Sequence, residues 1–252
     1  MYIPGILKQV INIVKKAEMS AKDKICVLSF DEMKIRETYA YDKVNDATLK
    51  PYKNVQVIMM RGLVSSWKQP IYFDFDQRMT QEILFKVIKF IEDAGFYVCS
   101  IVSDLGGGNR GLYRDLAVDE KKPWFLNPDK NHKIFVFADV PHLLKLIRNN
   151  FLDYGFLISE TTEINQEPIV KLLSFTGDSD LRITHKISLH NLTVNGPQRQ
   201  KVKFAAKLFS HTISQAINRC GTMGLFTENE NWVESAMFFK LVRAVRIKGN
   251  CV

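Results

Sequence analysis

Three aspartates stand where chemistry could be done: Asp31, Asp104 and Asp139 each sit directly behind an apolar, strand-like run, ending ICVLSF, FYVCSIVS and IFVFA respectively. Carboxylates brought side by side repel unless a proton or a cation lies between them. Magnesium suits such a place, because it takes hard oxygen ligands and needs only one or two protein carboxylates beside water and phosphate. A lone Asp at a strand end more often caps the next turn. Two on adjacent strands shift the weight towards a metal site, so the site rests on Asp31 and Asp104. Asp139, two residues before Pro141, suits a helix-capping role, and His142 a structural one.

A second group, Gly106-Gly107-Gly108-Asn109-Arg110-Gly111, follows a strand and matches the glycine pattern that seats a dinucleotide's diphosphate. That reading makes the chain a dinucleotide-dependent α/β enzyme, with Asp139 standing for the ribose-binding acid. Against it, Asp104 lies two residues before the first glycine, where its charge opposes a diphosphate, and the strand is the fourth rather than the first. Lys201, Lys203 and Lys207 share a helical stretch with Val202, Ala205, Ala206 and Phe209 and read as a solvated face. His185, His190 and His211 have no ligand spacing. Cys26, Cys99, Cys220 and Cys251 form no close pair, which leaves a zinc motif and a disulfide framework unsupported.

The elements that must position the aspartates follow from periodicity. A helix is expected within residues 4–19, with Ile6, Val10, Ile13 and Val14 on one face. Ile25–Phe30 starts a strand that runs on in alternating residues towards Tyr41. Asn54–Leu63 and Ile71–Phe75 complete an antiparallel meander. Thr80–Asp93 switches to helical period and stops at Gly95. Phe96–Val102 and Ile134–Ala138 are further strands, with a Gly-rich turn, and a short helix if one forms, between them. A helix starts near Pro141. Three meander strands followed by alternating strand and helix is the order of an RNase H-like layer, and right-handed crossovers place the fourth strand beside the first. From Asp153 the pattern turns to short helical stretches.

The chain has 252 residues, 46% of them hydrophobic, enough for one large domain or two small ones. Its net charge of +8 is spread along the chain rather than gathered in a tail, which fits polyanion binding through a folded surface. No apolar run approaches the length of a membrane span, and the opening residues lack a signal peptide's regions. An intracellular, non-secreted protein, nuclear or cytoplasmic, is expected.

Taken jointly, several segments resemble the P-element transposase family. They are Phe30-Asp31-Glu32-Met33-Lys34, Arg61-Gly62-Leu63 with Ser66-Trp67-Lys68-Gln69-Pro70, Phe73-Asp74-Phe75, Ile101-Val102-Ser103-Asp104-Leu105-Gly106, Lys133-Ile134-Phe135-Val136-Phe137, Pro141-His142-Leu143, Gln200-Lys201-Val202-Lys203 and Leu208-Phe209-Ser210. The resemblance implies an α/β fold, an RNase H-like mixed sheet flanked by helices, followed by a partial, mostly helical GTP-binding insertion domain. On that reading residues 1–21 are an N-terminal helix, 22–152 the RNase H-like core, and 153–252 the partial insertion, with a divergent tail from 242.

The family's activity is Mg²⁺-dependent cleavage and strand transfer at transposon ends by a D, D, E triad holding two Mg²⁺ ions. Asp31 matches the first acidic residue and Asp104 the second. Two ions activate the attacking oxygen and stabilise the leaving one in an in-line displacement. The resemblance places the third acid on a helix after the insertion, which this sequence does not contain, nor does it contain the family's zinc-coordinating DNA-binding domain or leucine zipper. It therefore implies a truncated transposase fragment that is inactive alone. The alternative is a non-catalytic DNA-binding or regulatory protein, which competes with a full-length transposase for DNA or partners. In the insertion, Asp180 matches the guanine-reading carboxylate, and Lys186, Lys201, Val202 and Ser210 match other nucleotide-contacting positions. Gly177-Asp178 replaces an Asn-Lys pair of the family, and the tail replaces a magnesium-side aspartate; both departures count against GTP.

Overall fold

The chain is described by a computed structural model over residues 4–43, 46–175, 187–227 and 230–249, and its contacts divide it into two units, up to Asp139 and from Val140. The first unit runs β1 (Gly5–Ile6), α1 (Lys8–Lys16), β2 (Ile25–Lys34), β3 (Ala40–Asp42), β4 (Ala47–Leu49), β5 (Asn54–Gly62), β6 (Lys68–Phe75), α2 (Gln81–Asp93), β7 (Tyr97–Ser103), α3 (Gly107–Asp115), β8 (Trp124–Leu126) and β9 (Lys133–Ala138). Seven of these strands form one mixed sheet in the order β1-β6-β5-β2-β7-β9-β8, and β3 pairs with β4 apart from it.

The apolar run opening β2 is buried because that strand is central. It pairs antiparallel with β5, Phe30 opposite Ile58, and parallel with β7, Phe30 opposite Ser103. The fourth long strand thus lies beside the first, as the crossover rule requires. Helix α2 makes that crossover. Thr80 caps it by accepting the Ile83 amide at 3.3 Å. Its Leu84, Val87, Ile88 and Ile91 fall at helical spacing and pack with Leu28, Phe30, Ile58, Met60 and Ile71 in a single core. Gly62 is required where β5 turns towards β6: a Cβ there would stand 2.6 Å from Ser65 Oγ and 2.7 Å from Trp67 Nε1. Cys26 is fully buried in this core, and burial pushes its thiol well above the ordinary range.

Some expectations are corrected. The N-terminal helix is shorter than residues 4–19, because Gly5–Ile6 pairs with Phe73 and Tyr72 on β6 before α1 begins. The first strand ends at Lys34, and Ala40–Asp42 belongs to the separate hairpin with β4. The division between units falls at Asp139 rather than after residue 152.

The second unit comprises α4 (Val140–Tyr154), β10 (Phe156–Leu157), β11 (Glu163–Ile164), α5 (Glu167–Ser174), 3-10 turns at Leu189–Asn191 and Gly196–Gln200, then α6 (Val202–Leu208), α7 (His211–Thr222) and α8 (Trp232–Gly249). Its core centres on Phe151 of α4, whose ring lies 5.4 Å from Phe239 and 6.0 Å from Phe209. That packing assigns α4 to this unit. Helix α8 continues past Leu241 to Gly249, and Val242 is 6% exposed in the same core, so the backbone shows no break where the divergent tail is expected to begin. Among the described residues, no helix is long and apolar enough to cross a membrane.

Candidate metal centre

Sheet register places the aspartates. Phe30 of β2, Ser103 of β7 and Ala138 of β9 form one row across three parallel neighbours. Asp31, Asp104 and Asp139 are the next residue on each. Adjacent strands are ~4.8 Å apart, so Asp31, still within β2 opposite Val57, and Asp104, just past β7, lie side by side where the pairing of these two strands ends. Both line one open cleft of roughly 550 Å³, together with Glu32, Lys34, Gln56, Arg78 and Asn109. Asp139 does not line it; its amide donates to the Ser103 carbonyl at 2.8 Å.

Each cleft aspartate has one oxygen engaged. Asp31 Oδ1 accepts the Glu32 amide at 2.8 Å, and the Gln56 amide group donates to the Asp31 carbonyl at 3.0 Å. Asp104 Oδ1 accepts the Gly106 amide at 3.0 Å and Asn109 Nδ2 at 2.6 Å. A Cβ on residue 106 would lie 3.1 and 3.2 Å from the two Asp104 oxygens, so a glycine there leaves the carboxylate room. Helix α3 is fastened to β7 through Tyr113, whose hydroxyl lies 2.6 Å from Ser103 Oγ. Burial, then the nearby Asp104 charge, pushes the Tyr113 phenol up, and the Ser103 contact opposes them.

The donor set fits a hard cation: two carboxylates at one sheet end, each with an oxygen that takes no hydrogen bond among the described residues. No third His, Cys, Asp or Glu joins them into a metal-holding group among those residues. The glycine run has a different use from the one a diphosphate would need. Its first amide is spent on Asp104, which turns the phosphate-seating donor towards a negative charge.

The expected nucleotide residues are more scattered. Asp180 and Lys186 lie outside the described residues, as does Gly177-Asp178. Lys201 is the residue before α6, Val202 opens that helix, and Ser210 caps α7, accepting the Ile213 amide at 3.4 Å. Lys201 and Ser210 therefore stand at opposite ends of a seven-residue helix, about 10 Å along its axis. Residues missed by sequence reasoning hold this region. Arg148 is fully buried and donates to the carbonyls of Arg199 and, at 3.2 Å, of Lys201, with Asn149 Oδ1 taking its other donors. Burial and the Arg199 charge lower its pKa from the ordinary value. Arg199 itself pairs with Asp153 through its two terminal guanidinium nitrogens, Nη1 and Nη2. Nothing in the spacing around Arg148 separates it from the exposed cations of an amphipathic helix.

A mixed sheet in this strand order, with two carboxylates at the adjacent strand ends and a helical unit following, defines an RNase H-like core with an insertion domain. The comparisons agree. Residues 2–117 match the TNP-like RNase H N-terminal domain and residues 141–245 the TNP-like GTP-binding insertion domain. The Transposable element P transposase of Drosophila melanogaster is 41% identical over 239 residues, covering 94% of this chain and 31% of that protein. The human DNA transposase THAP9 is 24% identical over 209 residues, covering 78% and 23% respectively. The structure of a Drosophila P element transposase strand transfer complex superposes with a TM-score of 0.88 at 41% identity, over 95% of this chain and 54% of that one. The chain belongs to the P-element transposase family. It spans about a third or less of the length of these curated relatives.

Proposed function

We propose that this chain carries the two-carboxylate part of a magnesium-dependent site that cuts and joins DNA ends, with Asp31 and Asp104 as the metal-holding residues. The observation that carries the reading is the shared register row: the residues that follow the paired Phe30 and Ser103 bring both carboxylates to one cleft. Bound Mg²⁺ would supply charge for the attacking and leaving oxygens of a phosphodiester. The chain's own part is to fix the two carboxylates, and Lys34 and Arg78 bring positive charge to the same cleft, where a DNA backbone would lie. The partner on this reading is transposon-end DNA, and a full-length transposase or a further segment contributes the third acid. The compartment on this reading is nuclear or cytoplasmic.

A labelled transposon-end duplex should bind the chain more tightly with Mg²⁺ than with EDTA, and Asp31→Asn or Asp104→Asn should erase that difference. Equal binding in every condition removes the metal reading. Nicking by this chain alone would overturn the dependence on a third acid. Metal-independent binding without nicking would leave the regulatory alternative.

For the second unit, the match to a GTP-binding insertion model supports a guanine nucleotide held by Asp180, Lys186, Lys201, Val202 and Ser210. Titration should show GTP preferred over ATP and Asp180→Asn losing the preference. No discrimination between the two would end it.

A further inference from the structure

We infer that Asn109 is a positioning residue for the metal centre: its side-chain amide fixes the Asp104 carboxylate so that one oxygen stays aimed for a divalent cation. The inference rests on the reading of Asp104 as a metal ligand. A carboxylate on a strand end can rotate about two side-chain bonds, and a weakly held one loses that freedom when it binds an ion. Asp104 has lost it already. Two donors, Gly106 N at 3.0 Å and Asn109 Nδ2 at 2.6 Å, converge on Oδ1, while Oδ2 accepts no hydrogen bond among the described residues.

Asn109 is held in turn. It lies in the first turn of α3, four residues before Tyr113, on the same helix face. The Tyr113 hydroxyl against Ser103 Oγ and the buried Leu112 fasten that face to the strand that ends in Asp104. The arrangement closes on itself: strand β7 carries the carboxylate, the helix after it carries the amide, and Ser103 with Tyr113 joins the two. Asp31 has no such support among the described residues, where its carboxylate accepts only the amide of the next residue. An amide is the fitting group, because it donates to an anion without a charge of its own to repel the cation.

The test uses Mn²⁺ as the probe with the whole chain and no DNA, free Mn²⁺ being read by electron paramagnetic resonance. Asn109→Ala should weaken Mn²⁺ binding roughly tenfold, the usual scale for removing a partner that orients a metal ligand. A purely structural Asn109 would lower the melting temperature but leave the affinity of the folded chain unmoved, and unmoved affinity overturns the inference. Asp104→Asn is the arm that separates the two claims. If it binds Mn²⁺ like the unaltered chain, the metal reading itself fails. If it loses binding while Asn109→Ala keeps it, only the positioning role fails. Should Asn109→Ala not fold, the Asn109 side-chain amide resonance of the unaltered chain decides. It should shift on adding Mg²⁺ and stay put in Asp104→Asn; no shift in the unaltered chain overturns the proposal.

Discussion

The two units use polar side chains in opposite ways. In the first, sheet register and an apolar core fix the backbone, and the Asp31 carboxylate, in register opposite Val57, accepts only the amide of the next residue among the described residues. In the second, the elements between α5 and α8 are short, and polar groups hold them: Ser210 caps α7, and Arg148 ties down the backbone at Arg199 and Lys201. A long sheet can therefore give residues up to chemistry without loss, whereas short helices put the same residue types to work on their own ends. Asp31 of the first unit should be replaceable at little cost in stability, and the site residues of the second should not.

The largest expected effects concern the frame of each unit. In the second, Gly221 of α7 is covered by the Trp232 ring, which overlaps the place of a Cβ. Gly221→Ala should cost about 3 kcal/mol, since the overlap sets one ring against two packed helices. Chemical denaturation measures it, and a loss below ~1 kcal/mol would mean the indole moves aside freely. In the first unit, Glu92 is buried and does not line the cleft. Glu92 accepts His132 Nε2 at 2.8 Å and Val98 N at 3.2 Å on one oxygen, and Asn127 Nδ2 at 2.9 Å, with Lys130 Nζ at 3.4 Å, on the other. Glu92→Gln turns one of those acceptors into a donor facing donors, at a cost of about 3 kcal/mol. Metal affinity should not change, and a change would couple this cluster to the cleft.

The expected cost of Ser210→Ala is smaller, about 1 kcal/mol, because one helix cap is lost. The loss should appear in nucleotide-free protein. If Ser210→Ala melted like the unaltered chain and altered only GTP binding, the contrast between the units would be broken.

Much of the first unit was legible because its strands are long apolar runs closed by turn residues, and α2 carries its own cap at Thr80. What escaped had weak local signals. Strand β8 has three residues, Trp124–Leu126, and exists only because β9 is there to pair with it. Helix α3 begins Gly-Gly-Asn, a poor start on propensity. Tyr113 and Leu112 stabilise it from the far side of the turn. By sequence Asn109 belongs to a glycine pattern, whereas in the structure its side chain reaches five residues back to Asp104. The boundary at Asp139 was hidden for a related reason: the spacing of Leu144 and Phe151 shows that α4 buries a face, but not which core receives it.

Acid separates the units more gently. Hydrogen bonds from Arg199 hold the Asp153 carboxyl below its ordinary value of 3.8. A depressed folded pKa means the pair's stabilisation is present above 3.8 and is lost as the pH falls through the lower folded value. Both side chains are partly exposed, so the effect should be slight. Asp153→Asn should melt slightly below the unaltered chain at neutral pH and match it in strong acid. A constant gap at every pH would show that packing, not charge, makes the contribution.

The smallest effect is the most telling. Asp31 and Asp104 place two negative charges on neighbouring strands, with no ion pair to either carboxylate among the described residues, so neutralising Asp31 relieves repulsion and removes only a contact to the next amide. Asp31→Asn should leave stability within about 0.5 kcal/mol and shift it, if at all, upwards. Salt should shrink any gain, because screening weakens the repulsion between exposed charges. Added Mg²⁺ should reverse the order. An ion that binds only the folded chain raises its melting temperature in proportion to occupancy, and Asp31→Asn has lost a ligand. A melt of both proteins with and without Mg²⁺ therefore has a crossing as its expected result. If Asp31→Asn were instead destabilised by ~2 kcal/mol without metal, Asp31 would have a structural duty, and the distinction between a sheet that frees its polar residues and helices that consume them would not hold.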